Sequence, residues 1–490
     1  MSSLREKFRK FRLALAACFI VFGTAAAVFA QASPEQLAEH QRAAQQAEAR
    51  QDFATAVHEY RWIEQSIPDN AELKSNLGVA LYFNHDLEQA AEVFRHAIAL
   101  KPGLYTPHLF LGLAMGRLSH TDAAVLELKK AVALNPSDPL AHTWLGYEYT
   151  AQSNYQLAVE ELKIAAQAKP DDPDLWFALG QSYLELGKQA TTELIHAYPD
   201  GGRAWQLAAE QFEAQGNNGK AQDLYLTALK RRPDIETARA RLVALGGTPP
   251  PPPTQPVAPG REDDFYRRIQ DDEKQAREAF ERVSQIDPDS YRAHQILGDA
   301  AAAADRYDEA IAEYKLVLER KPDLPNIHAA LCNAMSRTAR IQDAVRECEA
   351  ELTVSPFSAD AYVEAARVHL LEDDYRSAGP LLKKAMKLER PPIGVYKLMG
   401  KCYLHEKQYP DAIKAFDKYL EIETRDSSAY LLLARAYKYS GDTQQMNQAI
   451  AAYKRTSDAA RKTNAAQKVF DKDKKQDEVT DETLTPDTKG

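Results

Sequence analysis

Five histidines stand at equivalent places of a pattern that repeats along this 490-residue chain, and imidazole is the commonest metal ligand among side chains. They are His40, His108, His142, His294 and His328. Ligands of one zinc ion lie about 2 Å from the metal, whereas equivalent residues of adjacent packed helix pairs lie about 10 Å apart. We therefore expect these rings to pack at the seams between helix pairs, and we predict no metal and no cofactor.

The cysteines and the known catalytic motifs lead to a similar expectation. Cys332, Cys348 and Cys402 follow the N-terminal segment, and an odd number spread over two repeats is not a disulfide framework. Cys332 and Cys348 could approach each other across one hairpin, but small buried apolar side chains are the simpler expectation. The chain also has no phosphate-binding glycine loop, nucleophile elbow or zinc-ligand spacing. No segment is left for a catalytic domain, so we do not expect an enzyme.

Prolines mark a period of 34 residues. Between them, apolar residues recur three, four and seven positions apart, as in Leu77-Gly78, Ala90, Phe94 and Ala97. This spacing predicts pairs of amphipathic helices, and one pair cannot bury both of its faces, so successive pairs must stack. The prolines are Pro68, Pro102, Pro136 and Pro170, then Pro199 and Pro233, then Pro288, Pro322 and Pro356.

The pattern resembles the tetratricopeptide repeat family over roughly Leu37 to Lys462. The resemblance implies an all-α fold of right-handed superhelical arrays of antiparallel helix hairpins. We expect two arrays, at residues 34–246 and 263–461, joined by a proline-rich linker at residues 247–262, with a disordered charged tail at 462–490.

Three local expectations concern the irregular part of the repeat pattern. The repeat that begins at Pro173 is about five residues short, which predicts a short second helix near Lys188–Ala197. A helix over Ile235–Leu245 would cap the first array. A helix around Asp264–Ile286 would begin the second array.

The N-terminus has the features of an export signal. A basic segment, Arg5–Arg12, precedes an apolar run, Leu13–Ala30, and Val28-Phe29-Ala30 is a small-residue cleavage pattern. We expect residues 1–30 to be removed and the protein to be exported, periplasmic or secreted. The alternatives are an uncleaved inner-membrane anchor over residues 13–30 and a lipoprotein site at Leu15-Ala16-Ala17-Cys18.

In the family, positions 2, 5, 9, 12 and 13 of each repeat line a concave groove that binds protein or peptide partners. Carried onto this sequence, these positions are mainly apolar and aromatic in the first array and basic in the second. The expected groove residues are Tyr82, Phe83, Leu109, Leu113, Tyr147 and Phe177 in the first array and Arg337, Arg367, Lys397, Lys401, Arg435 and Lys438 in the second. Apolar grooves suit hydrophobic anchors and basic grooves suit acidic segments. The alternative is that these cations are solvated helix surface.

Net charge narrows the choice of partner. The chain carries a formal charge of -10, and residues 1–30 carry five basic residues and one acidic residue, so the remainder is near -14. Broad nucleic-acid binding is not expected of such a chain. The prediction is a scaffold that binds protein or peptide segments, and membrane association is expected only through an uncleaved N-terminal segment. The alternative is an accessory subunit of an envelope export, polysaccharide-secretion or glycosyl-transfer system whose catalysis lies in a partner.

Overall fold

The computed structural model describes residues 32–255, 258–388 and 391–462, and within them every regular element is an α-helix. The all-α prediction is therefore confirmed, while the expected signal segment and the tail beyond Lys462 lie outside the described residues. The helices are α1 (Pro34–Ala49), α2 (Phe53–Ser66), α3 (Ala71–Phe83), α4 (Leu87–Leu100), α5 (Tyr105–Arg117), α6 (Thr121–Leu134), α7 (Pro139–Ala151), α8 (Tyr155–Ala168), α9 (Pro173–Ala197), α10 (Gly202–Ala214), α11 (Asn218–Arg231), α12 (Glu236–Ala244), α13 (Arg261–Ile286), α14 (Tyr291–Ala303), α15 (Tyr307–Arg320), α16 (Ile327–Arg337), α17 (Ile341–Val354), α18 (Ala359–Leu371), α19 (Tyr375–Ala385), α20 (Gly394–His405), α21 (Tyr409–Leu420), α22 (Ser427–Ser440) and α23 (Thr443–Lys462).

Two compact units divide the chain. The first runs to Leu118 and includes Leu126–Pro136, and the second comprises Ser119–Val125 and the residues from Ser137 onward. Helices α1–α5 belong to the first unit and α7–α23 to the second. Within each unit the helices pair mainly as antiparallel hairpins.

Capping residues and left-handed turns set the bounds of the hairpins. The side chains of Asn70, Ser290 and Asp426 each accept a hydrogen bond from a backbone N–H in the first turn of the following helix. The turn inside most hairpins contains one non-glycine residue with φ between 56° and 65°, which ends the first helix and redirects the chain. These residues, spaced 34 apart in two groups, are Gln51, His85, Ser119 and Ser153, then Asp305, Ala339, Asp373 and Lys407.

The two helices of a hairpin come closest where a small residue faces a large one. Gly298 of α14 lies against Tyr314 of α15, and a Cβ added at Gly298 would come within 2.6 Å of that ring. Gly400 and Phe416 make the same contact between α20 and α21, at 2.5 Å. In both pairs the two residues are 16 apart in sequence. The absence of a side chain on the first helix therefore provides the space that the large side chain fills.

One repeat is split by an insertion, and this differs from the expected two-array organisation. Gly180 of α9 makes the same contact with Phe280 of α13, where an added Cβ would lie 2.6 Å from the ring. These two residues are 100 apart in sequence, which is 84 more than the 16 of the other pairs. Helix α13 is thus the second helix of the repeat that begins at Pro173. The segments before and after residues 247–262 pack directly on each other within the second unit and do not form separate arrays.

The expected short helix at Lys188–Ala197 is also wrong, because α9 is one continuous helix of 25 residues. Gly187 stands at the position where other hairpins turn, yet the helix continues through it. The reason is that α13, with 26 residues, is one residue longer than α9 and covers the extension. Ala190 and Leu194 of α9 are fully buried with Ile269 of α13 in one apolar cluster.

The inserted segment forms a hairpin of its own. Helices α10 and α11 bury Trp205, Tyr225 and Leu229 between them, and α12 covers the open flank with Ala238 and Leu242. Helix α12 confirms the helix predicted over Ile235–Leu245, and α13 confirms the one predicted around Asp264–Ile286. The proline-rich segment returns the chain from α12 to α13, and Arg239 of α12 donates a hydrogen bond to the carbonyl of Pro250.

Cys332 and Cys348 form a disulfide, so the expectation of separate thiols was wrong for this pair. They occupy the small and large positions of the close contact between α16 and α17, with their Cα atoms 5.3 Å apart. That separation lies within the range that a disulfide requires. Cys402 is a free, fully buried thiol. Burial raises the pKa of this thiol to about 12, and the thiol is therefore unreactive.

The split repeat predicts that the chain stays together when the proline-rich segment is cut. We expect a protease site introduced between the exposed residues Thr254 and Gln255 to give two fragments that co-elute in size-exclusion chromatography, because α9 and α13 remain packed. The same digest should run as two peaks in denaturant, which verifies complete cleavage. Separation in native buffer would show that the segment joins independent arrays.

The disulfide predicts a stability that depends on reductant. Closing a loop of about 15 residues stabilises a fold by roughly 3 kcal/mol, so reduction should lower the thermal midpoint of the native chain. A variant with Cys332→Ala and Cys348→Ala should already have the lower midpoint and show no response to reductant. A native chain that is indifferent to reductant, and in which both thiols are alkylated after unfolding, would contradict the linkage.

Candidate partner-binding surface

The apolar groove predicted for the first array is largely absent, because packing covers most of its residues. Tyr82, Leu109, Leu113 and Phe177 are all buried, with at most 7% of each residue exposed. Phe177 shows the cause: the guanidinium of Arg292 lies 4.6 Å from its ring centroid and completes its enclosure. These four residues are therefore core, and the structure corrects their assignment to a binding groove.

The remaining two residues of that set are more accessible. Phe83 is 43% exposed, and its ring stacks on that of Phe53 with centroids 5.1 Å apart. Tyr147 is half-buried, and burial raises the pKa of its hydroxyl to about 12. Phe83 belongs to the first unit and Tyr147 to the second.

The predicted basic residues of the C-terminal repeats fall into two groups. Lys397 is engaged within the fold, because its Nζ donates to Asp426 at 2.9 Å and to Ser428 at 2.6 Å with 18% of its side chain exposed. It fastens α20 to the start of α22 and is unsuited to binding a partner. The other five retain more solvent contact: Arg337, Arg435 and Lys438 are exposed, and Arg367 and Lys401 are half-buried.

Three of these cations form a regular row, which we call the cationic stripe. Arg367, Lys401 and Arg435 occupy the ninth position of their repeats, each 34 residues from the next, on the first helices α18, α20 and α22. The stripe therefore offers one cation on the first helix of each of three successive hairpins. Arg367 lies 3.4 Å from Glu364 of its own helix, which weakens the positive charge at that end.

Exposed apolar and aromatic side chains lie one turn further along the same helices. Leu371 on α18 is 42% exposed and Tyr439 on α22 is 52% exposed, and His405 on α20 is also exposed. Each is four residues after a member of the cationic stripe and so lies on the same helix face. The surface thus combines a row of positive charge with a row of apolar contacts.

The charge of the residues around two members of the stripe, Lys401 and Arg435, reinforces this surface. Residues 375–462 include 17 lysines and arginines and nine aspartates and glutamates, a net of +8 in a chain whose net charge is -10. A positive region on an acidic protein attracts acidic partners from a distance and disfavours basic ones. This regional contrast is not visible at the groove positions alone, since most of the 17 cations lie elsewhere in the repeats.

The five histidines join the helices of their own hairpins. Each ring nitrogen Nδ1 lies within hydrogen-bond distance of a glutamate 19 residues later, on the second helix. His108 also places Nε2 3.0 Å from the carbonyl of Pro102, so the protonated ring satisfies both acceptors and a neutral ring only one. The pairs are His40–Glu59, His108–Glu127, His142–Glu161, His294–Glu313 and His328–Glu347.

The residue at the fourth position of a repeat correlates with the residue 19 positions later. Where the fourth residue of a repeat is Lys74, Tyr396 or Tyr430, the residue 19 positions later is Val93, Ala415 or Ala449 instead of a glutamate. This correlation is a signal in the sequence from which the pairs could have been predicted. Within the described parts of the chain, no three His, Cys, Asp or Glu side chains are arranged to hold a metal ion.

A charged junction fastens the inserted hairpin to α13. Arg203 donates to Asp263 at 2.8 Å, Arg232 donates to the same carboxylate at 3.0 Å, and Tyr266 donates to Glu210 at 2.7 Å. Burial alone would raise the pKa of Asp263, but hydrogen bonds from the Gly260 N–H, Arg203 and Arg232 lower it to about 2. A cleft of about 780 Å³ lies beside this network, bordered by Pro252 and Pro253. Its charged side chains largely satisfy one another, so the junction is structural.

Glu148 is a buried carboxyl at a position that other repeats fill with small residues. It is 8% exposed on α7, and its equivalents Ser182, Cys402 and Ala436 are fully buried. Burial raises the pKa of Glu148 from 4.5 to about 7. The native state therefore keeps this proton over a pH range in which the unfolded chain has lost it.

The chain is similar to known repeat proteins over several stretches. Models of the tetratricopeptide repeat match residues 40–105, 268–333 and 369–436, and a TPR repeat model matches residues 146–187. The match at 268–333 begins inside α13. A stretch of 116 residues is 25% identical to DnaJ homolog subfamily C member 3 of Gallus gallus, covering 23% of this chain and 22% of that protein. The chain thus spans about a fifth of that relative's length.

Several solved structures are similar. The crystal structure of MamA protein aligns at 21% identity with a TM-score of 0.32, covering 35% of this chain and 94% of that one. YrrB, described as a TPR protein with an unusual peptide-binding site, aligns at 15% identity with a TM-score of 0.33, covering 36% and 92%. A thermophilic TPR protein of Thermus thermophilus aligns at 19% identity with a TM-score of 0.33, covering 55% and 100%. Across the described residues, no helix is both long and apolar enough to cross a membrane.

Glu148 predicts a loss of stability as pH rises from about 4.5 to 7. Below that range Glu148 is protonated in both the native and the unfolded chain. Above it the carboxylate is ionised in both, and its burial lowers the stability of the native state. We expect Glu148→Gln to be more stable than the native chain at pH 8, by on the order of 2–3 kcal/mol, and to show no such advantage at pH 4. Denaturant unfolding at both pH values measures this. The exposed Glu160→Gln is the control, and an equal response of the two variants would refute the assignment.

Proposed function

We propose that this chain, which is a tetratricopeptide repeat protein, is a protein-interaction scaffold whose second unit binds acidic, extended segments of partner proteins along the cationic stripe. The observation that carries the proposal is the row formed by Arg367, Lys401 and Arg435, one on the first helix of each of three successive hairpins. Two of these cations lie within residues 375–462, which carry a net charge of +8 in an acidic chain.

The spacing of the stripe selects the conformation of the partner. A peptide in the polyproline II conformation advances about 3.1 Å per residue with three residues per turn, so every third side chain faces the same way. A segment with a carboxylate at every third position places one acidic group near each cation of the stripe. The arginine members can bind a carboxylate through two parallel hydrogen bonds.

The apolar row supplies the second element of recognition. Leu371 and Tyr439 lie beside Arg367 and Arg435 and offer surface for apolar side chains that alternate with the acidic ones. A purely acidic segment would use only half of this surface. The favoured partner segment is therefore acidic with interspersed apolar residues.

The proposal assigns binding and no catalysis to this chain. The buried titratable groups of the described residues serve the fold: Asp426 holds Lys397, Asp263 holds Arg203 and Arg232, and Cys402 is an inaccessible thiol. None of them converges with a nucleophile on an open cavity, which is what an active site requires.

Export to an oxidising compartment is part of the proposal. The disulfide between Cys332 and Cys348 supports it, because disulfides persist in oxidising environments and are rare where thiols are kept reduced. The basic and apolar segments of residues 1–30 support it independently.

The test uses defined peptides and two matched triple variants. We expect a labelled peptide with glutamate at every third position to bind the native chain, with an affinity that falls as salt is raised, and the glutamine version to bind at least tenfold more weakly. Changing Arg367, Lys401 and Arg435 to Glu should abolish binding in fluorescence anisotropy, because attraction becomes repulsion.

The control reverses three exposed cations on the second helices, Arg346, Arg376 and Lys414. This variant has the same change in net charge and should retain binding within about threefold, since screening limits the influence of distant charges. Equal losses in the two variants would show that only net charge matters and would overturn the stripe as the binding surface.

A further inference from the structure

The chain itself contains a segment with the chemistry that the cationic stripe selects, and the inference drawn from it rests on the proposed function. Residues 477–487 read DEVTDETLTPD and include five acidic residues and no basic one. Glu478 and Asp481 are three positions apart, and Asp487 is six positions further. Val479 and Leu484 are the apolar residues between them. We call this stretch the acidic tail segment.

The acidic tail segment can reach the stripe. The last described helix, α23, ends at Lys462 and is the partner of α22, which carries Arg435. Residues 463–476 separate α23 from the acidic tail segment, and 14 residues span up to about 45–50 Å when extended. The stripe begins with Arg435 on α22, which packs directly against α23. The connection is therefore long enough to bring the segment to the Arg435 end of the stripe.

Charge favours this pairing over others in the same chain. Two members of the stripe, Lys401 and Arg435, lie in the region with a net charge of +8, and the acidic tail segment carries -5. A tethered ligand also acts at an effective concentration in the millimolar range. Even a weak pairing, with a dissociation constant near a millimolar, would therefore occupy a substantial part of the molecules without any partner present.

We propose that the acidic tail segment binds the cationic stripe of its own chain as an internal competitor, so that an external acidic partner must displace it. The consequence is a threshold for binding. Partners with weaker complementarity than the tail are excluded, and the affinity of any partner is lowered by the fraction of molecules in which the tail is bound.

The experiment measures the binding of the labelled peptide with glutamate at every third position to full-length chains with altered tails. Neutralising the tail with Asp477→Asn, Glu478→Gln, Asp481→Asn, Glu482→Gln and Asp487→Asn should tighten peptide binding at least tenfold. The matched variant Lys472→Gln, Lys474→Gln and Lys475→Gln makes the tail more acidic and should weaken binding by a further factor of about three. The exposed, distant carboxylates Glu160 and Glu193 provide the control for net charge, because their change to Gln should leave peptide binding within about twofold.

The remaining outcomes distinguish failure of this inference from failure of the proposed function. If both tail variants bind the peptide as the native chain does, the tail does not occupy the stripe, while the stripe stands as a binding surface. If the tail-neutralised chain does not bind the peptide at all, both proposals fall. If the inhibition by the native tail grows with protein concentration, the occupant is the tail of a second copy, which contradicts an internal competitor.

Discussion

The close contact between the two helices of each hairpin is the constraint on which the rest of this structure depends. A small residue on the first helix must face a large one on the second, because only then do the helices approach closely enough to bury their shared flank. The contact appears as glycine against an aromatic ring at Gly298 and Gly400 and as a disulfide at Cys332. The contact requires that the two residues meet in space, but it does not require a fixed number of residues between them in the sequence.

That freedom explains the split repeat. The first and second helices of the repeat that begins at Pro173 are separated by the complete hairpin α10–α11, its covering helix α12 and the proline-rich return. Both α9 and α13 are lengthened so that the insertion has a place to pack, and charged contacts around Asp263 hold it there. The repeats downstream continue from α13 as though no insertion had occurred. From there, the second helix of each hairpin packs on the first helix of the next, up to the helices that carry the cationic stripe.

The same packing requirement decides which groove residues remain for partners. The apolar candidates Leu109, Leu113 and Phe177 are used to bury helix flanks, because apolar side chains gain most from leaving water. Cations with long stems, such as Arg435, keep their charged groups in solvent. A groove that looks half apolar and half basic in sequence thus becomes, in the folded chain, mainly a charged surface with a few exposed apolar residues.

The sequence predicts the regular part of this fold well, since the 34-residue spacing of the prolines and the alternation of small and large residues are local signals. It also contains the information for the split repeat. Ala276, Phe280 and Pro288 have the same spacing as Ala90, Phe94 and Pro102, and that identity marks α13 as a second helix. The signal is easily overlooked because a repeat is expected to be contiguous. In addition, Gly187 stands where a turn is expected, although the helix continues because α13 packs along it.

The burial of the groove residues is harder to predict from the sequence, because it depends on side chains from distant parts of the chain. Arg292, which lies over the ring of Phe177, is an example. The sequence shows that Cys332 and Cys348 lie on the two helices of one hairpin, but only the geometry of the close contact shows that their side chains meet.

The central claim is that α9 and α13 are the two helices of one repeat, and a transplanted disulfide tests it most directly. Gly180 and Phe280 occupy the positions that Cys332 and Cys348 occupy in a later repeat. The double variant Gly180→Cys and Phe280→Cys should therefore form a disulfide under oxidising conditions, detected as a crosslinked peptide pair by non-reducing mass spectrometry. Gly180→Cys with Arg277→Cys, on the exposed face of α13, should not crosslink. Free thiols at both positions of the first variant would contradict the account.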